Sequence, residues 1–413
     1  MPVFSIPLSG LTASSSALST IANNLANLNT VGYKESRVMF RDLFYQTLGT
    51  SGSGNPIQMG AGAAVGSMAT TFSPGSMDTT GVPTDVAITG DGFFVVQNND
   101  GTSAYTRAGN FQVGPDGLLV TEDGETLMGY PATNGQVSLT GSLTALQLGK
   151  GQISPPAATS YMQAQMNLDA TAKVGDGFSA QITTYDSLGA SHVVTLHFTK
   201  AAQNSWTYQV TLPAADTGGT GNASVLGTGT LTFDGNGHLT APPANVTGIT
   251  VSGLASGASA LTFDWKLYDD SGAGLLTQMA ADSNTASKSA DGFASGTLQD
   301  FTIGSDGLIQ GAFSNDKTMV LGQIALANFA NPQGLSRMGK NCFASTLASG
   351  DSIIGTPGTG GRGTLAGGAL ELSNVDIAKE FAQMILAQRG FQANARAITT
   401  FDQITQDTIN LKQ

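Results

Sequence analysis

The chain carries few residues able to do chemistry, and its histidines are the first to consider. It has three, and His192 and His197 lie five residues apart in SHVVTLHF. Successive side chains of a strand point to opposite faces, so these two imidazoles cannot share a metal ion. His238 falls in a turn beside Gly237, and no Glu-x-x-His or cysteine spacing accompanies the three. We expect structural or solvated histidines, without a metal or cofactor. A Ser-His-Asp arrangement stays open, although there is no Gly-x-Ser-x-Gly motif.

The single cysteine excludes a disulfide within the chain and any multi-cysteine metal site. Lys340 and Cys342 lie close in sequence, so a reactive thiol is one interpretation. A small half-buried residue in a strand is the other, and we favour it because buried cysteines commonly serve as small apolar residues.

Two glycine-rich segments resemble ligand-binding loops only superficially. FDGNGH (residues 233–238) lacks the alternating acidic ligands and final Glu of an EF-hand, which favours a turn. GTGGRGTLAGG (358–368) lacks the Gly-Lys-Ser/Thr ending of a phosphate-binding loop, and we predict a linker between the last strand and the final helix. The sequence therefore predicts no catalytic residue and no enzyme.

The charge balance narrows the possible partners. A net charge of −12 argues against nucleic acid and against an anionic membrane surface. Charged residues make up 11% of the 413-residue chain, less than half of the usual ~25%. This suits a protein largely covered by neighbours. Neither a positively charged N-terminal region nor a run of 18 apolar residues occurs, which predicts no conventional signal peptide and no transmembrane anchor.

The two ends of the chain carry the same helical pattern. Leu11, Leu18 and Leu25 are seven residues apart, and Ser14, Ile21 and Leu28 follow each by three, the seam of a coiled coil. We predict a first helix over 8–29 and a last helix over 374–412 that starts with a capping box from Ser373 to Asp376. The apolar positions of the last helix are Ile377, Phe381, Met384, Phe391, Ala395, Ile398 and Ile409. Since a short isolated helix is marginal in water, we expect both helices to pack against each other and against copies in other subunits.

The middle of the chain is predicted to consist of strands and turns. Segments 111–120 and 301–310 share the pattern Phe-x-(Val/Ile)-Gly-x-Asp-Gly-Leu, which is typical of a hairpin, and 231–240 is a looser version. YDSLGAS (185–191) and YDDSGAG (268–274) form a second similar pair.

Less regular segments complete the middle. We predict a hairpin over 85–97 around Gly90-Asp91-Gly92, a short helix or an extended arm over 33–48, and a flexible connector over 49–70.

These patterns predict a mainly β protein with α-helical termini, built from nested discontinuous domains. Paired N- and C-terminal coiled-coil helices lie outside two β-rich domains, one inserted in the other. The predicted parts are 1–30 with 371–413 (inner helical domain), 31–72 with 364–370 (connector), 73–148 with 291–363 (middle β domain) and 149–290 (outer inserted β domain).

Three segments resemble the bacterial flagellar axial proteins, a family of rod, hook and junction subunits. These are GLTASSSALSTIANNLANLNTVGYK (10–34), DVAITGDGFFVV with YTRAGNFQVGPDGLLVT (85–96 and 105–121), and GALELSNVDIAKEFAQMILAQRGFQANARAITTFDQI (368–404). GQIALANFANPQGL (322–335) and YDSLGASHVVTLHF (185–198) are most similar to hook subunits. The resemblance extends over roughly 1–135 and 290–413 and is looser between them.

The resemblance implies a non-enzymatic hook subunit that polymerises helically into a hollow, curved, flexible tube and acts as a universal joint. It implies export through the flagellar type III apparatus without a cleaved signal peptide, and an extracellular place at the flagellar hook and basal body. The implied partners are further copies and the distal rod, hook cap and hook-filament junction proteins. Alternatives are a distal rod or junction subunit, or a secreted β-rich adhesin. The expected interface residues are Leu11, Leu18, Ile21, Leu25, Leu28, Ile377, Phe381, Met384, Phe391, Ala395, Ile398 and Ile409.

Overall fold

A computed structural model describes residues 5–43, 46–149 and 151–410. The helix α1 spans Ser5–Ala26 and the helix α2 spans Ile377–Asn410, with strands and turns between them. The prediction of a mainly β protein with helical ends is therefore confirmed. Within the described ranges, no helix has both the length and the apolar character needed to cross a membrane.

The strands before the long central insertion are short, as expected for a chain rich in turn residues. They are β1 (Ser36–Asp42), β2 (Gln46–Thr50), β3 (Pro56–Met59), β4 (Ala63–Thr70), β5 (Met77–Thr79), β6 (Val86–Thr89), β7 (Phe93–Gln97), β8 (Ser103–Thr106), β9 (Gln112–Val113), β10 (Leu119–Val120), β11 (Thr126–Thr133), β12 (Gln136–Val137) and β13 (Thr144–Ala145). Most central strands are longer, and the central set is β14 (Ile153–Ser154), β15 (Tyr161–Asp169), β16 (Gly177–Tyr185), β17 (Ser191–Ala202), β18 (Ser205–Leu212), β19 (Ser224–Phe233), β20 (Leu239–Ala241), β21 (Val246–Val251), β22 (Leu261–Lys266), β23 (Leu276–Met279) and β24 (Asn284–Ala290). The last set is β25 (Gly296–Ile303), β26 (Leu308–Phe313), β27 (Thr318–Ile324), β28 (Leu326–Asn328), β29 (Ser336–Gly339), β30 (Cys342–Ala344), β31 (Ile353–Gly355), β32 (Thr364–Gly367) and β33 (Ala369–Glu371).

The chain divides into two compact units. Unit 1 comprises Met1–Lys150, Asp300–Gly311 and Met319–Gln413, and unit 2 comprises Gly151–Gln299 and Ala312–Thr318. The finer four-part division stays a prediction.

Unit 1 is built around a sheet with the strand order β27-β11-β7-β8-β30-β29. The buried rings of Phe93, Phe329 and Phe343 meet on one face of it, with Phe93 edge-to-face against both others at 5.8 Å between ring centroids. Such aromatic pairs stabilise a core beyond the area that they bury.

Unit 2 is a sandwich of two sheets. One sheet has the order β16-β17-β18-β19-β20, and the other has β21-β22-β15-β23 with β24 paired to β15. Alternate residues of the strands point inward, and Trp206 and Trp265 are almost fully buried between the sheets.

One turn geometry recurs along the chain, at 114–118, 186–190, 234–238, 269–273 and 304–308. In each, the first amide donates to the carbonyl of the fifth residue, and the fourth amide donates back to the first carbonyl. In these five turns the fourth residue is glycine, with φ between 75° and 85°, which other residues rarely adopt. The matched hairpins at 111–120 and 301–310 are thus confirmed, and the segments at 185–191, 231–240 and 268–274 contain the same turn.

Three local predictions are wrong. Residues 85–97 do not form a hairpin, because β6 pairs with β32 while β7 pairs with β8, β11 and β28. The segment 49–70 is not a free connector, since it holds β3 and β4. Within 358–368, β32 joins β6 through a four-residue register, so this segment is part of a sheet instead of a linker.

The arm at 33–48 is extended, which decides between the two predicted alternatives. Its strand β1 pairs with β4, and β2 pairs with β3. Residues 44–45 of this arm and 411–412 of the predicted last helix lie outside the described residues.

Candidate assembly interface

The two terminal helices pack against each other in antiparallel orientation within one chain. Gly10 of α1 lies so close to the Asn394 side chain that an added Cβ would be 2.7 Å from its Nδ2 atom. Likewise, a Cβ added at Gly390 of α2 would lie 3.3 Å from the Oγ atom of Ser14. The predicted pairing of the chain ends is therefore present, and small residues allow the close approach of the two backbones.

The start of α2 is set by Asp376. Its Oδ1 atom accepts hydrogen bonds from the amides of Ala378 (2.9 Å) and Lys379 (3.2 Å), the geometry of an N-cap. The helix therefore begins at Ile377, and the predicted capping box starting at Ser373 is wrong in position. At the other end of the chain, Leu28 lies beyond the end of α1, in a turn.

The helix pair covers only part of the predicted seam. Ile21 is buried, whereas Ile377, Phe381 and Ile409 remain exposed. The other predicted positions are half-buried: Leu11, Leu18, Leu25, Leu28, Met384, Phe391, Ala395 and Ile398.

Several exposed apolar residues of the helices were missed by the sequence analysis. They are Leu8, Ile385, Leu386 and Ile404, and Leu386 is 69% exposed. A single 3-4 stripe selects one helix face, and these residues lie off that stripe. A search for further apolar positions along both helices would have found them. Together with the half-covered seam, they leave apolar surface on more than one side of the pair.

A buried cluster of three charged residues joins the base of the helix pair to the β core of unit 1. Lys34 precedes β1, Arg107 follows β8, and Glu371 ends β33. The Lys34 Nζ atom is 2.6 Å from Glu371 Oε1, and Arg107 Nη1 is 3.3 Å from Glu371 Oε2. All three side chains are at most 1% exposed.

Backbone groups complete this charged cluster. The Gly75 amide donates to Glu371 Oε1 (2.9 Å), and Lys34 Nζ donates to the Ser73 carbonyl (2.9 Å). Burial lowers the pKa of Lys34, and the Glu371 carboxylate opposes that shift. The Glu371 carboxylate thus forms an ion pair with both buried cations, Lys34 and Arg107.

Two asparagines, the buried Asn24 and the half-buried Asn374, hold the backbone at the start of β1 by hydrogen bonds. Asn24 Oδ1 accepts from the Ser36 amide (3.0 Å) and the Tyr33 hydroxyl (3.1 Å). Asn374 Oδ1 accepts from the Glu35 amide at 2.7 Å. The entry of the chain into β1 is therefore tied both to α1 and to the segment before α2.

Glu380, in the first turn of α2, is almost fully buried, and its Oε2 atom has no hydrogen-bond partner among the described residues. Burial raises its pKa. A hydrogen bond from Asn24 opposes this increase, and the neighbouring Glu35 carboxylate adds to it. The ionised form is therefore less favourable at this position than in water.

Beside the helices, the β1–β4 hairpin carries a further exposed apolar surface. Met39, Phe40, Val65 and Met68 are exposed, and Phe40 pairs with Val65 across the two strands. The Ala63 amide donates to Ser9 Oγ (3.2 Å), which places this hairpin against α1.

The residues considered for chemistry occupy structural positions. His192 is buried, with Nε2 3.1 Å from Asp186 Oδ2 and Nδ1 3.5 Å from Asp216 Oδ2. His197 is exposed on the opposite face of β17, beside Ser179. Although Ser256 donates to the same Asp186, it makes no hydrogen bond to His192 among the described contacts, so the three do not form a catalytic relay.

The Asp186 carboxylate is held by its turn. Burial alone would raise its pKa, but hydrogen bonds from Ser256, His192 and the amides of Ala190 and Leu188 lower it to about 2. Asp234 likewise accepts from the amides of Asn236 and His238. These contacts are those of a turn, as predicted for FDGNGH, and no group of three or more potential metal ligands occurs in the described ranges.

Cys342 is buried at the start of β30, as favoured from the sequence. Burial raises the pKa of its thiol to about 11, with Glu125 and Asp123 adding to the shift, so the reactive thiolate is rare at neutral pH. Lys340 instead lies 3.4 Å from Glu125 and 3.8 Å from Asp123.

Four family models match consecutive parts of the chain. They are described as "Flagella basal body rod protein" (residues 6–34), "Flagellar hook protein FlgE/F/G D1 domain" (87–170), "Flagellar basal body protein FlaE D2 domain" (156–293) and "Flagellar basal body rod FlgEFG protein C-terminal" (366–411).

Relatives that align over their full length extend these matches. The flagellar hook protein FlgE of Salmonella typhimurium is 34% identical over 426 residues, covering 99% of this chain and 100% of that protein. FlgE of Treponema pallidum is 34% identical over 457 residues, covering 98% of each. The crystal structure of Helicobacter pylori FlgE2 aligns with 71% of this chain and 98% of its own, at 14% identity and a TM-score of 0.47. Because the sequence relatives align over nearly the entire chain, the protein belongs to the flagellar hook protein family and is a structural subunit of the bacterial flagellar hook.

Proposed function

We propose that the subunit polymerises helically through its terminal helices into a hollow, curved tube that acts as a universal joint between rod and filament. The observation that carries this proposal is the apolar surface left on the α1–α2 pair, including Phe381, Ile385 and Leu386. Such a surface on a soluble protein marks a site of association. Contacts between two different patches on neighbouring copies add subunits without closing a ring.

The proposal also includes the more specific properties that membership of this family implies, which concern export, location and neighbouring proteins. The protein has no enzymatic role and is exported unfolded by the flagellar type III apparatus without a cleaved signal peptide, to a place outside the cell. Its neighbours are further copies and the distal rod, hook cap and hook-filament junction proteins. The helices line the inner wall and the β-rich parts form outer layers, whose contacts slide as the tube rotates.

Leu25→Asp tests the helix seam. Leu25 is half-buried on α1, and a charge placed in a packed apolar contact is costly. We expect the variant to form no tubes by electron microscopy, while the β sheets stay folded by near-ultraviolet circular dichroism. Leu188→Asp, at a 62% exposed turn position, is the matched control and should assemble normally. Normal tubes from Leu25→Asp would remove the seam from the proposal.

An in-frame deletion tests the place in the flagellum. We expect basal bodies that end at a complete rod in electron micrographs. Truncated rods would point to a rod subunit, and hooks without filaments would point to a junction subunit. Motile cells with normal flagella would contradict the proposal altogether.

A further inference from the structure

Two carboxylates face the buried imidazole of His192 from separate segments of unit 2. Asp186 lies in the turn 186–190 between β16 and β17, and Asp216 lies in the segment 213–218 between β18 and β19. The His192 side chain is 5% exposed, and the Asp186 side chain is fully buried. Histidine changes its charge near neutral pH, so a ring held between two acidic segments can couple their arrangement to pH.

The contact with Asp186 fixes which nitrogen carries the proton of the neutral ring. Asp186 Oδ2 lies 3.1 Å from His192 Nε2 and accepts from the Ser256 hydroxyl at 2.6 Å. Its Oδ1 atom accepts from the amides of Leu188 and Ala190, both at 2.9 Å. Burial opposes ionisation, but these hydrogen bonds lower the pKa of Asp186 to about 2, so the group is a carboxylate at neutral pH. Because a carboxylate only accepts hydrogen bonds, Nε2 must carry the proton.

The other ring nitrogen has no matching partner while the ring is neutral. His192 Nδ1 lies 3.5 Å from Asp216 Oδ2, and this buried atom makes no hydrogen bond within the residues that the structure describes. With the proton on Nε2, Nδ1 presents a lone pair to a carboxylate oxygen, so that two acceptors face each other. A second proton on the ring makes Nδ1 a donor to Asp216, and such a charged hydrogen bond is stronger than a neutral one.

The segment that carries Asp216 is also connected to a third loop. Asp216 belongs to a short 3-10 helix, Ala214–Thr217, and its carbonyl accepts from the Ala255 amide at 2.8 Å. Ala255 lies in the segment 252–260 between β21 and β22. A contact made or lost at the Asp216 carboxylate therefore acts on both segments.

Asp186 and Asp216 are the charged groups that pair with the ring among the described residues. The segment 252–260 contains no titratable residue, and Thr184 of β16, whose hydroxyl donates to the His192 carbonyl, is uncharged. Protonation of His192 thus reduces two uncompensated negative charges at this junction to one.

We propose that His192 is a proton-operated clasp between the turn 186–190 and the segment 213–218. When the ring takes a proton from solvent, Nδ1 donates to Asp216 and the segment is held, and when that proton is lost the segment is released. The clasp requires an imidazolium and a carboxylate together, and side chains of these two kinds are both charged between about pH 4 and pH 6.5. Its stabilisation is therefore present in mild acid and is lost as pH rises through the titration of the ring.

Hydrogen exchange at about pH 5 and about pH 7.5 tests the clasp. The clasp lies within unit 2 and does not depend on the proposed polymerisation, so the free full-length chain is used. The reporters are the amides of Gly218, Gly219 and Ala255. Each rate is divided by that of the same amide in the unfolded chain at the same pH, which removes the chemical effect of pH on exchange. We expect about tenfold greater protection at pH 5, equivalent to about 1.4 kcal/mol.

Two variants remove one side of the clasp each. His192→Gln keeps a polar side chain that does not titrate, and Asp216→Asn keeps the shape of the carboxylate without its charge. In both, protection of the reporter amides should differ less than twofold between the two pH values. The matched control is His197→Gln, on the opposite face of β17, which should keep the tenfold difference.

Three outcomes would overturn the inference. They are equal protection at both pH values in the unaltered chain, a pH dependence that survives in Asp216→Asn, and a loss of the pH dependence in His197→Gln as well. Folding of each variant is checked by circular dichroism. If His192→Gln does not fold, Asp216→Asn decides alone, because the Asp216 side chain is 25% exposed and tolerates an isosteric change.

Discussion

Glu371 is the residue at which the two ends of the chain are held together. Its carboxylate binds Lys34 and Arg107, and its backbone carbonyl accepts from the Gly32 amide at 2.7 Å. Gly32 itself has φ of 68°, and an added Cβ would lie 2.5 Å from the Ala108 amide nitrogen. A side chain at that position would push the N-terminal segment away from Glu371, so the two residues act together.

Glu371→Gln should destabilise unit 1 by about 3–5 kcal/mol, because the substitution leaves two buried cations without a counter-charge. The measurement is native-state hydrogen exchange of the amides in β5, β7 and β33. We expect these amides to exchange faster in the variant.

The matched control is Asp270→Asn. Asp270 is 98% exposed in its pair with Lys266, and an exposed pair contributes about 0–1 kcal/mol. Unchanged exchange in β5 and β33 of Glu371→Gln would show that the charged cluster does not fix the chain ends.

Residue-scale chemistry was predictable from sequence only where it is local. The opposite orientation of His192 and His197 follows from strand alternation, and a strand position for Cys342 was favoured over a reactive thiol. The Lys34–Glu371 pair joins residues 337 positions apart, and no spacing rule connects them. Likewise, nothing near Glu380 in the sequence indicates that its carboxylate is buried.

At the scale of elements, turns were predictable because they are made by consecutive residues. The glycine at 117 and the glycine at 307 have the left-handed geometry that their Asp-Gly sequences indicate. The segment 85–97 failed because β6 finds its partner in β32, far along the chain. The seam of the helices is predicted from its spacing alone, and how much of it is covered depends on packing.

Glu380 makes the docking of α2 sensitive to pH. A carboxyl whose folded pKa is raised stabilises the folded form below its unfolded pKa, and that stability is lost as pH rises through the folded pKa. Tube formation should therefore be favoured in mild acid relative to pH 7.5. Glu380→Gln should lower the subunit concentration needed for tubes at pH 7.5 about fivefold, equivalent to about 1 kcal/mol, with little change near pH 4.

Sedimentation of tubes over a concentration series at both pH values measures this effect. Glu122→Gln, at an exposed loop position, is the control and should leave both concentrations unchanged. If Glu380→Gln raised the concentration needed at pH 7.5, the buried carboxylate would be stabilising the pair instead of opposing it.

At the scale of the whole molecule, the composition predicts a protein covered by neighbours, and this stays a prediction. Helices at both ends of a β-rich chain were predictable from the repeated patterns at those ends. The boundaries between the two units lie at positions that the sequence does not mark, such as the ends of the separate piece Ala312–Thr318 in unit 2. No composition shift marks that piece, because it is a hairpin tip defined only by its contacts.

The free subunit should have terminal helices that become ordered only on assembly. Much of their apolar surface is uncovered in one chain, and helices without tertiary contacts are marginal in water. Hydrogen exchange should show rapid exchange of α1 and α2 in the free subunit and protection in tubes. The amides of β17 in unit 2 should be protected in both states, and protected helices in the free subunit would contradict the expectation.

The antiparallel contact between α1 and α2 also sets an order of events during synthesis. The ribosome makes Ser5–Ala26 before the strands and Ile377–Asn410 after them, so the α1 segment has no partner helix while the strands are synthesised. Closing so long a loop is slow compared with forming local hairpins. The α1 segment of a newly made copy therefore stays without its partner helix while the local hairpins of the β-rich part form.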